Sequence, residues 1–350
     1  MKRESLTSGA LKRSRWIGAK AVIAASLAVS SIAIVGLGSA SQAGASSKKF
    51  SIAFVVGAEA DPFFQSMYVG AHAEAKKLGV TLIWQGDPVD YSPSTQIPVV
   101  QQVLAEKPSA LVIAPTDTKA LEPYVAQAIK KGIPVFNVDS GDANQKNITS
   151  WVTGNNVQGG TAAADALASA LNYSTTCTSA SPCTVAVGVS SITTSTDAAR
   201  LKGFDAQLKA KYPNITALNP IVSQSQSAVA QQGFAQDISA HHLQGIFAID
   251  GTDAEGAAAA ITAAGSAGAN IKVVGYDAYA SNIASMQGGK IAAIISQQPT
   301  LEGKDIIKYA VQRLKQGNAK GIPHLLTLAN IVLTPTTSQA TLNKYVYTAS

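Results

Sequence analysis

The chain has 350 residues and a formal net charge of +6, from 27 Lys and Arg against 21 Asp and Glu. Six of those cations and one Glu precede residue 46, a net +5, so the remainder is close to neutral at about +1. That remainder lacks clusters of Lys and Arg interleaved with aromatic residues, which argues against a nucleic-acid partner. Its roughly 305 residues suffice for two α/β lobes, because single cores stop growing near ~250–300 residues.

Residues 1–45 have the pattern of an export signal. A basic lead is followed by an apolar or small stretch from Ala21 to Leu37, and small residues then allow cleavage after Ala43 or Ala45. A membrane anchor is the alternative. Ser and Gly interrupt the apolar run and no basic stop follows it, so the pattern favours cleavage.

From Lys49 onward, short apolar runs alternate with longer amphipathic ones, which is typical of β-α units on a parallel sheet. This pattern first predicts strands at 50–56, 80–85, 110–114, 133–138 and 151–153. The helices between them are predicted at 63–78, at 94–107, and from Leu121 to a stop at Gly132.

The pattern restarts after Gly154, so the sequence predicts a second α/β unit. Its helices are predicted at 159–171, 196–211, 228–241 and 254–264, and its strands at 184–189, 215–222, 245–249 and 271–275. The last part predicts a strand at 291–296, a helix at 301–315 and a short strand at 331–333. Residues 334–350 are rich in Thr and Ser and are expected to cover a surface.

Cys177 and Cys183 are the two cysteines of the chain and lie six residues apart in a polar loop. In an exported protein such a pair predicts a disulfide, and the short ring would pin a loop rather than hold the fold. Two thiols with no nearby His do not indicate a metal site.

Polar side chains recur where the predicted strands end. The set is Asp61, Asp117, Asp139, Asp250, Asp277 and Gln297. Each could be a helix cap or turn residue, but ligands bind at the carboxyl ends of strands in open parallel sheets. Asp61 is followed by Pro62, Phe63 and Phe64, so this turn is a candidate ligand clamp as well as a helix start.

The sequence gives little support for a catalytic function. The four histidines are His72, His241, His242 and His324, and none follows a strand with a partner carboxylate. No Gly-x-Ser-x-Gly elbow, zinc-binding His pair, phosphate loop or dinucleotide fingerprint occurs, so the sequence predicts no catalytic residue, metal or cofactor. Paired carboxylates could hydrolyse a glycoside, which keeps a secreted glycosidase open as an alternative.

Eight short segments occur in the order seen in ribose-type periplasmic binding proteins. They are Asp61-Pro-Phe-Phe64, Pro115-Thr-Asp117, Gly132-Ile-Pro-Val135 with Asp139, Asn156-Val-Gln-Gly-Gly160, Arg200-Leu-Lys-Gly-Phe204, Phe247-Ala-Ile-Asp250, Val273-Val-Gly-Tyr-Asp277 and Ser296-Gln-Gln-Pro299. Over about residues 50–333 the chain therefore resembles that family, and the ordered set is specific although each segment alone is weak.

The resemblance implies a type I periplasmic binding protein with two Rossmann-like lobes joined by three crossings, near Thr153, Gln297 and Ala329. The first lobe would comprise 46–153 plus 298–329, and the second 154–297 plus 330–350. A monomer would capture a sugar or polyol and deliver it to an ABC transporter permease, and a chemoreceptor is a further partner that the family allows. The protein would be periplasmic, or lie on the outer face of the cell membrane in a host without an outer membrane.

The resemblance also implies roles for individual residues. Phe63 and Phe64 match the aromatic pair that sandwiches the sugar, and carboxylates would take its hydroxyls. The implied ligand-binding set is Asp61, Phe63, Phe64, Asp139, Ser140, Arg200, Asp250, Tyr276, Asp277 and Gln297. Further candidates are Trp151, which would line the hinge or pack between the lobes, and Thr116 and Gln224.

Three positions depart from the ribose receptor. Asp61 and Asp250 stand where it has Asn, and Ser140 stands where it has Arg. The site has therefore lost a positive charge and gained up to two negative ones, which argues against an anionic ligand. A neutral monosaccharide or polyol is favoured, while an amino sugar, another amine or a furanone signal remains open. A sugar-responsive repressor shares the two-lobe core, but an export signal stands here in place of a helix-turn-helix.

Overall fold

The computed structural model describes residues 49–348, so the predicted export signal at residues 1–45 lies outside the described residues. The strands are β1 (Ser51–Ala58), β2 (Thr81–Asp87), β3 (Ala110–Ile113), β4 (Val135–Val138), β5 (Ser150–Gly154), β6 (Cys183–Val189), β7 (Ile215–Ala217), β8 (Ile221–Val222), β9 (Leu243–Ala248), β10 (Lys272–Tyr276), β11 (Ala293–Ser296), β12 (Leu325–Leu328) and β13 (Ile331–Leu333).

The helices are α1 (Pro62–Leu78), α2 (Pro93–Ala105), α3 (Glu122–Lys130), α4 (Asn156–Ala170), α5 (Tyr173–Thr176), α6 (Ser195–Lys211), α7 (Ser227–Ala240), α8 (Gly251–Ala263), α9 (Ala280–Gln287), α10 (Pro299–Gln316) and α11 (Gln339–Tyr345). Within residues 49–348, none of them has the combination of length and apolar composition that crossing a membrane requires.

The strands form two sheets. The first has the order β12-β5-β4-β3-β1-β2, and all its pairs are parallel. The second has the order β13-β11-β10-β9-β6-β7, with β8 also paired to β6, and its edge pair β11 and β13 is antiparallel. The predicted α/β class with two parallel sheets is confirmed. We call the first sheet with its helices the first lobe and the second sheet with its helices the second lobe.

The chain crosses between the sheets three times. It passes from the first to the second after β5, returns after β11, and crosses again between β12 and β13. These passages adjoin Thr153, Gln297 and Ala329. Three strand-like passages at one side of a cleft form a hinge about which two lobes can rotate.

Strand β1 shows why the sheets are buried on both faces. Ile52, Phe54 and Val56 pack into one hydrophobic cluster, while Ala53 and Val55 belong to another. Successive side chains of a strand point to opposite faces, so an all-apolar strand requires helices on both sides. Tight packing of these helices fixes the residues that follow each strand.

Two helix pairs approach closely enough to require glycine. A Cβ at Gly70 of α1 would overlap the carbonyl oxygen of Thr300 in α10. A Cβ at Gly160 of α4 would likewise overlap the carbonyl oxygen of Arg200 in α6. The second contact presses α6 against the helix that follows β5, and this places Arg200 at the edge of the cleft.

Four elements were not predicted from the sequence: α5, α9, β12 and α11. The strand β12 has four residues and pairs only at the edge of its sheet, so it carries little periodicity. Helix α9 is short and rich in Ala, Ser and Asn. The expectation that 334–350 cover a surface included neither α11 nor the burial of Tyr347. Helix α5, which has four residues, lies in a stretch interpreted as a polar loop.

The predicted disulfide is confirmed. Cys177 and Cys183 are bonded, and both are buried between α5 and β6. The ring spans a sequence separation of only six residues. It therefore fixes the turn that leads into β6 and does not link distant elements.

Candidate ligand-binding site

A cavity lies between the two lobes at the carboxyl ends of the sheets. Eight of the predicted ligand residues line it: Asp61, Phe63, Phe64, Asp139, Arg200, Asp250, Asp277 and Gln297. The cavity volume is about 30 Å³, so the space between the lining residues is narrow in this arrangement of the lobes. Ligand residues that follow strands of both sheets thus meet in one place, as expected for parallel sheets.

The Asp61 turn combines a helix cap with an aromatic surface. Asp61 has extended backbone and accepts a hydrogen bond from the peptide N–H of Phe63 at 2.8 Å. Because Pro62 occupies the first helical position, both phenylalanines ride on the first turn of α1. The rings of Phe63 and Phe64 meet edge to face with centroids 5.2 Å apart, and Phe64 stacks on Tyr91 at 6.3 Å. The cap and the clamp interpretations of this turn therefore describe the same geometry.

Asp61 also bridges the cleft. The phenolic hydroxyl of Tyr279, in the second lobe, donates to the same oxygen, Oδ1, of Asp61. Burial of its carboxylate raises the pKa of Asp61 to about 7, although the bonds from Tyr279 and Phe63 oppose the shift. Asp277 and Asp250 raise it further by their negative charge.

Arg200 is held from several sides. Its Nε donates to Asn156 at 2.9 Å, and its Nη1 donates to the carbonyl of Ile249 at 3.1 Å and to Asp250 at 3.0 Å. Its guanidinium lies over the ring of Tyr276, 4.1 Å from the centroid. A planar cation fixed in this way is preorganised for a ligand and needs little reordering on binding.

Asp277 is fixed by three donors. Its backbone has a φ of 64°, which Asp tolerates better than most residues. Oδ1 accepts from Nε2 of Gln297 at 2.8 Å and from the hydroxyl of Tyr347 at 3.0 Å, while Oδ2 accepts from the N–H of Gly251 at 3.2 Å. Burial raises the pKa of Asp277 to about 6, and the charge of Arg200 opposes that rise.

Asp139 carries an oxygen that lacks a partner. Its φ is 56°, and its backbone is fixed by bonds to the carbonyl of Val152 and from the indole of Trp151. Among the described residues, Oδ1 of Asp139 is buried without a hydrogen-bond partner. Burial raises the pKa of this carboxyl to about 7, against the attraction of Arg200. Because an unpaired buried acceptor is destabilising, this atom requires a donor, which a ligand can supply.

Five predicted residues do not line the cavity: Ser140, Tyr276, Trp151, Thr116 and Gln224. The resemblance implied that Ser140 binds the ligand, but its hydroxyl donates to the carbonyl of Pro115 at 2.7 Å. Tyr276 lies beneath Arg200 as a platform rather than at the cavity surface. Both therefore position neighbours of the site.

The remaining strand-end candidates have local structural roles. The N–H and the hydroxyl of Thr116 both donate to Oε1 of the buried Gln96, and the Thr116 carbonyl accepts from the hydroxyl of Thr194 of the second lobe at 2.9 Å. Asp117 accepts from the N–H groups of Lys119 and Ala120, as a turn residue does. Gln224 has a φ of 54° and adjoins Ser225, which does line the cavity.

Six lining residues were not predicted: Tyr91, Ser190, Thr196, Asp197, Ser225 and Tyr279. One of them had a usable signal. Asp197 precedes Arg200 by three residues on α6, so both lie on one helix face, and their charged atoms are 3.8 Å apart. Tyr279 offered no such signal, because the direction of its side chain depends on the turn after β10.

The charges that line the cavity are unequal. Five carboxylates, those of Asp61, Asp139, Asp197, Asp250 and Asp277, share one guanidinium, that of Arg200. Despite these acids, no group of three or more His, Cys, Asp or Glu suited to a metal ion occurs within residues 49–348. The sequence predicted that the site has lost one positive charge, and the structure adds that its acidic side chains outnumber the single basic one.

The sequence profile described as Periplasmic binding protein domain matches residues 52–319. The chain belongs to this family. Members of this family are binding proteins rather than enzymes, so the prediction of a binding protein is confirmed. A D-ribose/D-allose-binding protein of Pseudomonas aeruginosa is 32% identical over 257 residues, which are 70% of this chain and 76% of that protein. The ribose import binding protein RbsB of Bacillus subtilis is 29% identical over 257 residues, 73% of this chain and 79% of that protein.

Solved structures of binding proteins confirm the type I architecture. A solute-binding protein of an ABC transporter from Agrobacterium vitis, bound with α-D-tagatopyranose, has a TM-score of 0.78 and 30% identity. The alignment covers 86% of this chain and 100% of that one. A carbohydrate transporter solute-binding protein from Agrobacterium radiobacter, in complex with D-arabinose, has a TM-score of 0.78 and 27% identity over the same shares of each chain.

Proposed function

We propose that the protein binds a neutral monosaccharide or polyol between its lobes and delivers it to an ABC transporter permease. The observation that carries this proposal is the pairing of an aromatic surface with unsatisfied acceptors in one cavity. Phe63 and Phe64 supply the surface, and Oδ1 of Asp139 and Oε1 of Gln297 are buried without partners among the described residues. A sugar offers apolar C–H faces to the rings and hydroxyl donors to the acceptors.

Relatives support this ligand class. The two relatives described above are named for ribose and for D-ribose and D-allose, and the two solved structures hold tagatose and arabinose. These ligands are neutral monosaccharides with several neighbouring hydroxyls. Their shared chemistry matches the acceptors of this cavity and does not identify a single sugar.

The arrangement of two lobes about a hinge supports a role in transport. We assign residues 46–153 with 298–329 to the first lobe and 154–297 with 330–350 to the second. Rotation about the three crossings would open the cavity, and closure would bury the ligand and present both lobes to a permease. A chemoreceptor that reads the closed form is a further partner of the same kind.

The protein would act outside the cytoplasm as a monomer. The basic, apolar and small-residue succession of residues 1–45 supports export, after which the mature chain would begin at residue 44 or 46. Sequencing the N-terminus of protein recovered from the cell envelope tests this, and an uncleaved Met1 would contradict it.

A second ligand class is favoured by the charge of the site. Five lining carboxyl groups face one guanidinium, and an ammonium group would favour their ionised forms, so an amino sugar or another small polyhydroxylated amine is the alternative. An anionic sugar is disfavoured for the same reason.

Isothermal titration calorimetry distinguishes these ligands. Ribose, arabinose, tagatose, glucose and the matching alditols would be compared with glucosamine and with glucuronate as an anionic control. We expect micromolar or tighter binding of a neutral sugar or alditol and none of glucuronate. Tighter binding of glucosamine than of glucose would favour the amine class, and heat from none of the sugars would contradict the proposal. Recovery of the bound sugar unchanged, checked by mass spectrometry, separates a receptor from a glycosidase.

A further inference from the structure

The segment that follows α11, residues 346–348, touches both lobes on the hinge side of the cavity. The N–H of Tyr347 donates to the carbonyl of Ala278 at 2.9 Å, which ties the segment to the second lobe. The hydroxyl of Ser66, on α1 of the first lobe, donates to the carbonyl of Thr348 at 3.1 Å. Two consecutive residues thus bond to different lobes.

The side chain of Tyr347 is buried behind two residues that line the cavity. Its hydroxyl accepts from the peptide N–H of Gln297 at 2.9 Å and donates to Oδ1 of Asp277 at 3.0 Å. Nε2 of Gln297 donates to the same Asp277 oxygen at 2.8 Å. One phenol therefore links a hinge residue to a carboxylate that faces the ligand.

The ring of Tyr347 also joins the lobes. Its centroid lies 6.0 Å from that of Phe63 in the first lobe and 5.9 Å from that of Tyr279 in the second. Phe63 and Tyr279 both line the cavity. Tyr347 itself does not, so it fills the space behind them.

We propose that Tyr347 is a positioning residue for the ligand and that residues 346–348 form a clasp which holds the lobes closed around it. The phenol fixes the orientation of Asp277 and Gln297, and the bond from Ser66 to Thr348 adds a contact that opening of the cleft would break. The inference rests on ligand binding in this cavity.

The decisive variant is Tyr347→Phe, which keeps the ring and removes the hydroxyl. We expect the Kd for the sugar that the wild type binds to rise about tenfold, because a hydrogen bond to a carboxylate is lost from a buried network. The matched control is Tyr345→Phe, the same chemical change two residues earlier, where the Kd should stay within about twofold.

The pH dependence of binding separates positioning from general support. The hydrogen bond from Tyr347 is one of the contacts that oppose the rise of the Asp277 pKa caused by burial. Without this bond the pKa of Asp277 rises further, so Asp277 takes up its proton at a higher pH. As pH is lowered, the affinity of Tyr347→Phe should therefore begin to fall at a higher pH than that of the wild type. A purely structural tyrosine would lower the melting temperature and leave the pH profile of binding unchanged.

The clasp is tested by Ser66→Ala, which removes the donor to Thr348 outside the cavity. Stopped-flow fluorescence should show faster ligand dissociation, by about threefold or more, with little change in association. Wild-type Kd, pH profile and dissociation rate in both Tyr347→Phe and Ser66→Ala would overturn the inference. A wild-type protein that binds none of the sugars would instead overturn the proposed function, so the two failures are distinct.

Discussion

Tyr279 of the second lobe donates its phenolic hydrogen to Asp61 of the first lobe, on the oxygen that also caps α1. Oδ1 of Asp61 thus accepts two hydrogen bonds, one from its own lobe and one from across the cleft. The other oxygen takes part in neither bond. Closure of the lobes and the helix cap are therefore coupled at a single carboxylate.

We expect Tyr279→Phe to weaken the closed state. The ring would still pack beside Tyr347, but the bond across the cleft would be absent, so ligand dissociation should accelerate by about tenfold. Stopped-flow measurements of dissociation test this. Tyr124→Phe on α3, away from the cavity, is the control, and equal dissociation rates for both variants would contradict the role given to Tyr279.

Asp61→Asn should distinguish the two ligand classes. Asparagine caps a helix as well as aspartate does, so the start of α1 should be preserved. Removing the charge should leave the Kd for a neutral sugar within about threefold and weaken an amine ligand by tenfold or more. Calorimetry with glucose and glucosamine measures both. Asp61→Ala, which also removes the cap, should lower the free energy of unfolding by about 1 kcal/mol.

Much of the site followed from the order of strands and polar residues. Asp61, Asp139, Asp250 and Asp277 each come after a strand, and parallel topology brings such positions together whatever the details of packing. Gln297 was predicted for the same reason. These residues depend on the sequence period and on the direction of the strands, both of which are readable from the chain.

The residues that were missed depend on tertiary packing. Tyr279 and Tyr347 come close to the site because the turn after β10 and the segment after α11 fold against the hinge. Tyr347 bonds to Asp277, which lies 70 residues earlier in the sequence. Ser140 follows a strand like the others, yet its hydroxyl turns to a neighbouring carbonyl. No periodicity encodes which way a side chain points from an irregular turn.

The pKa of Asp139 predicts how pH changes stability. Because burial raises that pKa from 3.8 to about 7, the folded protein keeps a proton that the unfolded chain loses above about pH 4. The wild type should therefore lose stability relative to Asp139→Asn as pH rises from about 4 to about 7, with no further loss above that range. Urea midpoints of both proteins, measured without ligand across this range, give the difference.

Asp117 provides a control of opposite sign. Partial burial would raise its pKa, but hydrogen bonds from Thr193 and from the N–H groups of Ala120 and Lys119 hold it below the usual value. The stability that its carboxylate contributes is present above the unfolded pKa and is lost as pH falls through the folded one. Asp117→Asn should thus be destabilising near neutral pH and less so in acid. Parallel pH profiles for the two variants would contradict the assignment.

Removing the disulfide should affect stability but not binding. Cys177 and Cys183 close a short loop on the second lobe, and neither lines the cavity. The loop-entropy estimate for so short a ring is about 2 kcal/mol. Cys177→Ser combined with Cys183→Ser should lower the free energy of unfolding by about that amount, while calorimetry shows an unchanged Kd. A larger Kd would mean that the loop into β6 orients the site.

Glu302 is the clearest target for stabilisation. It lies in the first turn of α10 with no exposed surface, and both carboxylate oxygens lack a hydrogen-bond partner among the described residues. Burial, together with the negative charge of Asp139, raises the pKa of Glu302 well above its ordinary value, although Arg200 opposes the rise. At neutral pH the folded protein must therefore protonate this group or keep an unpaired buried charge, and both are unfavourable.

We expect Glu302→Leu to raise the free energy of unfolding at neutral pH by about 1–4 kcal/mol. Glu302→Gln, which removes the charge but keeps the shape and a polar end, should give a smaller gain. The gain should shrink as pH falls from 8 to 5, because the unfolded chain regains the proton as pH approaches its pKa of 4.5, while the raised pKa lets the folded protein hold the proton at higher pH. Urea titrations at pH 5 and pH 8 measure this, with the exposed Glu106→Gln as a control that should change stability by less than about 0.5 kcal/mol. A Leu variant that is less stable at both pH values would show that Glu302 has a partner which the folded protein needs.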